Sequence, residues 1–174
     1  RLGGGGAAAG GCGRAGEGGR SIEVDLVVFG IGTIPNTEGA ASSGIDVDGG
    51  VHVSETLQTV DPDVFAAGEV AAFPHSALGR RMRIEHEDAA LSMGRHAGRG
   101  MAGRLEAYLH VPFFYSDLFE NGYEPAGELD TRLQTTTVWP TPSQPGLVFY
   151  HADERLRGVP VYNEWGQRAH AEDR

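Results

Sequence analysis

Two short apolar runs, each closed by a glycine, constrain the fold of this chain most strongly. Leu26–Phe29 is an uninterrupted apolar run between Asp25 and Gly30, and Val64–Ala67 is a second run that ends at Gly68. Unbroken apolar runs of this length are typical of strands that are buried on both faces of a parallel sheet. We therefore predict an α/β region in which the glycine turns after the strands lie close to a ligand.

The longest predicted helix spans residues 84–103. Five of its side chains fall on one face at spacings of three or four residues: His86, Ala90, Met93, Ala97 and Met101. Gly94 and Gly98 each cost a helix interior roughly 1 kcal/mol relative to alanine. We therefore expect another element to pack unusually closely against them.

The composition changes along the chain and predicts three regions. Residues 1–20 hold 10 of the 27 glycines and have no hydrophobic periodicity, so they are predicted to be a disordered leader. Residues 21–103 carry the predicted α/β pattern, and residues 104–174 form a second domain of short β segments. These segments are 111–117, 122–129, 133–139, 146–151 and 156–163, and the last two are predicted to form a hairpin.

Charge and residue content exclude several classes of function. The net charge is −10, which opposes binding to nucleic-acid phosphates, and no apolar run approaches the roughly 18 residues of a membrane span. The single cysteine, Cys12, cannot form an intrachain disulfide or a dithiol centre. Neither an HExxH motif nor a Cys/His set is present, so no metal site is predicted. A GxGxxA match at residues 3–8 is rejected because no strand precedes it.

Two glycine turns are candidate contacts for a nucleotide. Gly30 and Gly32 allow a ligand to approach the backbone where a Cβ atom would block it, although an ordinary structural turn explains them equally well. Gly68 permits a tight turn, and Glu69 supplies a carboxylate that can accept hydrogen bonds from sugar hydroxyls. The alternative for Glu69 is a favourable charge in the first turn of a helix.

Two ring side chains are candidates for contacts with a flat cofactor ring. His86 follows Glu85 and heads the predicted buried face of the helix, where a histidine is also compatible with a purely structural role. Tyr115 could stack on a flat ring, a contact worth about 0.5–1.5 kcal/mol beyond burial. Alternatively, Tyr115 is an ordinary aromatic residue of a core or an interface.

Four segments in this order resemble a known family. They are Gly30–Asn36 (GIGTIPN), Thr59–Ala71 (TVDPDVFAAGEVA), Arg83–Gly94 (RIEHEDAALSMG) and Phe114–Gly127 (FYSDLFENGYEPAG). Together they resemble the C-terminal half of the FAD- and NAD(H)-dependent pyridine-nucleotide oxidoreductases. The branch that contains apoptosis-inducing factor and its bacterial relatives is the most similar, over about residues 22–167.

The resemblance implies a fold class and a set of site residues. The fold would be an α/β fragment of a FAD/NAD(P)-binding Rossmann-type domain, followed by an α+β reductase C-terminal domain with a mostly antiparallel sheet. In relatives an aspartate usually occupies the position of Glu69 and contacts the ribityl chain of the flavin. The residues implied at the flavin are Gly68, Glu69, Glu85 and His86, and those implied at the nicotinamide are Gly30, Gly32, Tyr115 and Glu124.

The resemblance also implies an activity, in which a flavoprotein oxidises NAD(P)H through FAD and passes the electrons to an unidentified acceptor. Because the GxGxxG units of the family are missing, we expect a fragment of a longer enzyme that holds FAD weakly and is inactive alone. A homodimer is compatible with the C-terminal domain. The expected compartment is the cytoplasm for a bacterial source and the mitochondrion for a eukaryotic one.

Two alternative functions remain open at this stage. The chain could be a non-catalytic interaction or regulatory domain derived from such an enzyme, since the phosphate-binding loops are missing. It could also belong to a ferredoxin-reductase-type enzyme that supplies an oxygenase, which differs only in the electron acceptor.

Overall fold

A computed structural model describes residues 13–15, 22–76, 78–141 and 144–166. Its contacts separate the chain into two compact units, Arg1–Asn36 and Thr37–Arg174. Most of the predicted leader, residues 1–20, lies outside the described residues, but a short strand is formed at Gly13–Ala15. The predicted domains 21–103 and 104–174 stay predictions.

The first unit contains one small antiparallel ladder among its described residues. Strand β1, Gly13–Ala15, pairs with strand β2, Ile22–Val24. The predicted buried strand at Leu26–Phe29 is wrong, because residues 26–36 have no regular secondary structure and Val28 is 83% exposed. A parallel strand requires hydrogen-bonded neighbours, and no described strand pairs with this run.

The second unit begins with a small mixed sheet and two helices. Its elements in chain order are α1 (Glu38–Ser42), β3 (Val51–His52), a single 3₁₀ turn (Gly68–Val70), β4 (Ala71–His75), β5 (Arg80–Met82) and α2 (Glu87–Met101). Among the described residues β4 lies at the centre of this sheet, parallel to β3 and antiparallel to β5. Residues 45–54, in which apolar and polar side chains alternate, form β3 and a bridge from Val47 to Val51.

The second predicted strand is displaced along the chain. At Val64–Ala67 only a single bridge joins Phe65 to Gln58, and the strand forms after the glycine, at β4. Glu69 lies in the single 3₁₀ turn and not in the first turn of a longer helix. Strand β4 forms because β3 and β5 pair with it on either side. The availability of these partners, rather than the apolar run at Val64–Ala67, decides where the strand lies.

Helix α2 forms where the sequence predicts a helix, but its buried face is rotated slightly. Its buried residues are Ala89, Met93, Ala97 and Gly100, and the first three pack with Val53, Leu57, Phe73, Ile84 and Tyr108 in the core. Met101, which was predicted to be buried, is 70% exposed. The helix ends at Met101, and the φ of 88° at Gly103 lets Arg104 N–H donate to the carbonyl of Arg99 in a Schellman motif.

The predicted close packing at Gly94 and Gly98 is also wrong. Both glycines are exposed, and a Cβ atom added at either would meet nothing within 4 Å. The close approach occurs at Gly100 instead, where an added Cβ would lie 2.8 Å from Cε1 of Phe65. No described helix is both long and apolar enough to cross a membrane.

The C-terminal part of the second unit is an antiparallel sheet. Its described strands are β6 (Ser116–Leu118), β7 (Asn121–Gly127), β8 (Gln134–Val138), β9 (Gly146–Ala152) and β10 (Arg155–Tyr162), in the spatial order β6-β7-β10-β9-β8. The predicted β9–β10 hairpin is confirmed. Its two turn residues, Asp153 and Glu154, both have positive φ, which matches the right-handed twist of the strands.

Candidate cofactor site

An open cleft of about 500 Å³ lies in the second unit, where β5 and the start of α2 face the C-terminal sheet. It is within the usual size range of small-molecule sites. The lining residues are Arg80, Met82, Arg83, Ile84, Glu85, His86, Pro112, Phe114, Gly127, Glu128, Leu129, Asp130 and Thr131. Apolar, aromatic and charged groups therefore meet around one space, as binding a flat polar ring requires.

A stacked pair of rings forms one wall of this cleft. The ring centroids of His86 and Phe114 are 4.1 Å apart, and their planes are inclined by 20°. His86 lies in extended backbone immediately before α2, and Phe114 follows a bridge from Phe113 to Ala126 of β7. Two distant parts of the sequence thus contribute one stacked aromatic pair, in which each ring covers one face of the other.

Arg83 organises the polar side of the same wall. Its Nη1 donates to the backbone carbonyl of Glu69 over 3.1 Å, and its Nη2 forms an ion pair with the carboxylate of Glu85. The Arg83 side chain is 20% exposed. One guanidinium therefore ties the turn at Gly68–Val70 to the residue that precedes His86.

Partial burial lowers the pKa of His86, and this effect outweighs the groups that act in the opposite direction. A backbone hydrogen bond at Glu85 and the nearby carboxylates raise the pKa, Glu69 among them. At neutral pH the ring is consequently an uncharged aromatic surface. A neutral ring is suited to packing and hydrogen bonding against a cofactor ring.

Gly68 is held against helix α2 behind this wall. Its φ is 78°, its N–H donates to Sδ of Met93 over 3.3 Å, and an added Cβ would lie 3.5 Å from Cβ of Ala90. The positive φ favours glycine at this turn. Gly68 is buried, whereas Glu69 projects as an exposed residue.

The structure brings together two of the residues predicted from the sequence, Glu85 and His86, in the cleft lining. Gly68 and Glu69 lie outside the lining, and Arg83 connects them to it through the Glu69 carbonyl. Gly30 and Gly32 belong to the first unit, in its segment without regular structure.

The other two predicted residues, Tyr115 and Glu124, also lie outside the lining. Tyr115 is 64% exposed. Glu124 accepts a hydrogen bond from Gly166 N–H over 2.9 Å. The aromatic that enters the cleft is Phe114, the residue immediately before Tyr115. Because side chains of extended backbone alternate between two faces, a displacement of one residue exchanges the ring that points inward.

An ion triad that sequence reasoning did not identify closes one end of the cleft. The carboxylate of Glu128, 8% exposed, accepts hydrogen bonds from Arg80 of β5 and from Nη2 of Arg157 of β10, the latter at 2.9 Å. Arg157 also donates to the carbonyl of Leu78 over 2.8 Å. Burial raises the pKa of Glu128, but the two guanidinium groups outweigh it and hold the pKa below its usual value.

A buried histidine lies behind the cleft at the end of β4. His75 is 2% exposed; its Nδ1 accepts from Leu78 N–H over 3.3 Å, and its Nε2 lies 3.2 Å from the carbonyl of His110. These contacts fit a neutral ring with its proton on Nε2. Burial lowers the pKa of His75, and the charges of Arg157 and Arg80 act in the same direction.

This histidine predicts a pH dependence of stability. In the unfolded chain His75 takes up a proton near pH 6.5, whereas the folded chain resists protonation at that pH. The free energy of unfolding should therefore fall as the pH decreases below about 6.5, by at most about 1.4 kcal/mol per pH unit for this one group. Urea unfolding at pH 7.5 and pH 5.5 measures the loss, which His75→Gln should reduce. An identical loss in the wild type and the variant contradicts the prediction.

Comparisons with known proteins agree with this architecture. The model of the pyridine nucleotide-disulphide oxidoreductase family matches residues 7–94, about half of the chain. Apoptosis-inducing factor 1, mitochondrial, of Dictyostelium discoideum is 35% identical over 170 residues, which cover 89% of this chain and 32% of that protein. Putidaredoxin reductase of Pseudomonas putida is 34% identical over 148 residues, which cover 84% of this chain and 35% of that protein.

A solved structure shows the same relationship. A ferredoxin reductase from Rhodopseudomonas palustris superposes with a TM-score of 0.81 at 26% identity, and the match covers 95% of this chain and 43% of that one. The chain therefore belongs to the pyridine nucleotide-disulphide oxidoreductase family, as its motifs predicted. Its fold is that of a part of the FAD- and NAD-binding reductases, and it spans about a third of the length of the curated relatives.

Proposed function

We propose that this chain supplies the ring-binding part of a flavoprotein that oxidises NAD(P)H and passes the electrons to a further acceptor. The observation that carries the proposal is the stacked His86–Phe114 pair, which lines a cleft of about 500 Å³. When bound, the flavin supplies the redox chemistry by accepting a hydride from the nicotinamide. The chain contributes the aromatic surface, the polar groups around it and partial shelter from water.

The groups present in the cleft fit the isoalloxazine of FAD. The stacked His86–Phe114 pair offers an uncharged outer ring face and ring edges, and Met82 and Ile84 add apolar contacts. The guanidinium of Arg83 can donate hydrogen bonds to the polar edge of the ring, and the carboxylate of Glu85 can accept them. We assign the ribityl side to Gly68 and Glu69, whose turn Arg83 connects to the cleft.

The residues proposed for the nicotinamide side do not lie together in the cleft. Gly30, Gly32, Tyr115 and Glu124 are proposed for it on the family resemblance, and none of them lines the cleft. The acceptor is proposed to be a redox protein or a small molecule. The names of two relatives, putidaredoxin reductase and a ferredoxin--NAD(+) reductase component, support an electron-transfer protein.

Binding of lumiflavin, the isoalloxazine without its sugar-phosphate tail, tests this proposal on the chain as it is. We expect weak binding, with a dissociation constant near 1 mM, which corresponds to about 4 kcal/mol. Phe114→Ala should weaken binding roughly tenfold, because it removes a stacking contact worth up to about 1.5 kcal/mol. Quenching of the lumiflavin fluorescence measures both constants.

Two further alanine variants make this measurement specific. Phe119→Ala removes an aromatic ring that is 92% exposed and outside the cleft, so it should leave the affinity unchanged. Tyr115→Ala removes the neighbouring aromatic, which lies outside the cleft lining, and should also leave the affinity unchanged; a loss there would place Tyr115 rather than Phe114 against the flavin ring. Equal affinity in the wild type and Phe114→Ala would contradict the proposed role of the stacked pair. No binding of lumiflavin by the wild type would favour the alternative of a non-catalytic interaction domain.

A further inference from the structure

The stacked rings of the cleft belong to two segments whose relative position needs a separate explanation. His86 precedes the first residue of α2, and no hydrogen bond from its side chain caps that helix. Phe114 follows residues 104–112, which have no regular secondary structure. Its backbone N–H donates to the carbonyl of Pro125 over a long 3.4 Å. This bond and the bridge from Phe113 to Ala126 hold Phe114 against β7, but neither contact reaches His86.

A side-chain pair joins the segment that carries His86 to the segment that carries Phe114. Nε2 of His110 is hydrogen bonded to Oδ2 of Asp88. Asp88 is the second residue of α2, two positions after His86, and His110 lies four positions before Phe114. We infer that the Asp88–His110 pair is a positioning device, which sets the distance between His86 and Phe114 and thereby the shape of the proposed flavin-ring surface. The inference rests on the proposed function of this cleft.

The surroundings of the pair hold His110 firmly in place. Its backbone carbonyl lies 3.2 Å from Nε2 of the buried His75, and its ring lies 5.9 Å from the ring of Tyr108. Tyr108 is 4% exposed, donates its N–H to the carbonyl of Glu55 over 2.7 Å, and pairs its hydroxyl with Oγ of Ser92 at 2.5 Å. The irregular segment is therefore fixed to the core just before it reaches the cleft.

Asp88 is held in place by its position at the start of α2. Its side chain is 18% exposed, and it lies in the first turn of α2, where a negative charge interacts favourably with the helix dipole. A hydrogen bond to a carboxylate is stronger and more directional than a neutral one. A displacement at Asp88 would be transmitted to His86 over only two residues, so a small change there separates the stacked rings.

The test measures the ring stack itself, without a cofactor. In the 174-residue chain the carbon-bound ring protons of His86 should show an upfield shift in NMR spectra, because the ring of Phe114 lies 4.1 Å away. Asp88→Ala should remove most of this shift in a chain that remains folded, and it should weaken lumiflavin binding about fivefold, or about 1 kcal/mol. Asp88→Asn keeps an oxygen acceptor and should retain most of both properties.

The matched control is Glu87→Ala, which removes an exposed carboxylate from the same first turn. It should leave the His86 shift and the lumiflavin affinity unchanged. If Asp88→Ala does not fold, His110→Phe removes the nitrogen while keeping a ring beside Tyr108, and it should give the same loss. Unchanged His86 shifts in either folded variant would overturn the inference.

The outcomes also separate this inference from the proposed function. If the shift disappears in Asp88→Ala and the wild type does not bind lumiflavin, the positioning role holds and the proposed function fails. If the wild type binds lumiflavin and the variant keeps both its shift and its affinity, the positioning role alone fails.

Discussion

Glu128→Gln is expected to lower the free energy of unfolding by about 3 kcal/mol. The substitution leaves Arg157, whose side chain is 18% exposed, without a compensating charge, and breaking a buried ion pair in this way costs about 3–5 kcal/mol. The lower end of that range applies because Arg80 is half exposed and remains hydrated after the change. Urea unfolding at pH 7 measures the effect.

The contribution of Glu128 also has a predicted pH dependence. Its pKa is lowered in the folded chain, so the carboxylate stabilises the fold above its unfolded pKa of about 4.3 and loses this contribution as the pH falls through the folded value. The difference in stability between the wild type and Glu128→Gln should therefore shrink below about pH 4. A difference that is constant from pH 7 to pH 3 would contradict the triad.

Asp130→Asn is the matched control for this substitution. Asp130 forms an ion pair with Arg132, whose side chain is 87% exposed, and such solvated pairs contribute little to stability. The control removes the same charge two residues away in the same cleft. If both variants lose similar stability, the loss reflects the net charge of the region rather than the buried triad.

Gly158→Ala is expected to destabilise the chain by about 3 kcal/mol or more. Gly158 of β10 lies opposite Gly127 of β7, and a Cβ added to it would overlap the backbone carbonyl oxygen of Glu128. It would also lie 2.8 Å from the carbonyl carbon and the nitrogen of the same residue. Backbone atoms cannot rotate away as a side chain does, so the strand must shift, and overpacking of this kind costs about 1–3 kcal/mol or more.

The same change at Gly94 provides a control of opposite sign. Gly94 is an exposed residue inside α2, and an added Cβ meets nothing within 4 Å. Gly94→Ala should therefore stabilise the chain by roughly 0.5–1 kcal/mol through helix propensity. Destabilisation by Gly94→Ala, or neutrality of Gly158→Ala, would contradict the packing described here.

The two large effects should not add. Gly158 allows the close approach of β10 to Glu128, and its neighbour Arg157 accepts the Glu128 N–H over 2.8 Å at its backbone carbonyl. A chain that already carries Gly158→Ala has a displaced triad, so adding Glu128→Gln should cost clearly less than 3 kcal/mol. Strict additivity would show that the glycine and the triad act independently.

Local pattern predicted the elements whose partners lie close in sequence. The β9–β10 hairpin and α2 both form, because their hydrogen bonds join residues that are close in sequence. The residues at the hairpin turn and after the helix also adopt the positive φ that these positions require. The pattern failed at Leu26–Phe29 and at Val64–Ala67, where an apolar run indicated burial but could not specify a pairing partner. Strand formation depends on neighbours that a single segment does not encode.

The candidate site was likewise predicted only in part from the sequence. His86 and Glu85 were predicted because the RIEHEDAALSMG motif carries them, and the structure places both in the cleft lining. The structure places Phe114 rather than Tyr115 at the cleft, because the register of the extended segment decides which of two adjacent aromatics faces inward. The Glu128 triad joins residues from three places in the chain, and no spacing in the sequence indicates it.

The most direct test of the central claim is an intermolecular NOE experiment on the chain with lumiflavin. If the isoalloxazine packs on the stacked His86–Phe114 pair, cross-peaks should connect the methyl groups of lumiflavin with ring protons of His86 or Phe114. These cross-peaks should disappear when excess unlabelled FAD competes for the site. Cross-peaks confined to exposed aromatics such as Phe119, or none at millimolar lumiflavin, would contradict the claim that this cleft receives the flavin ring.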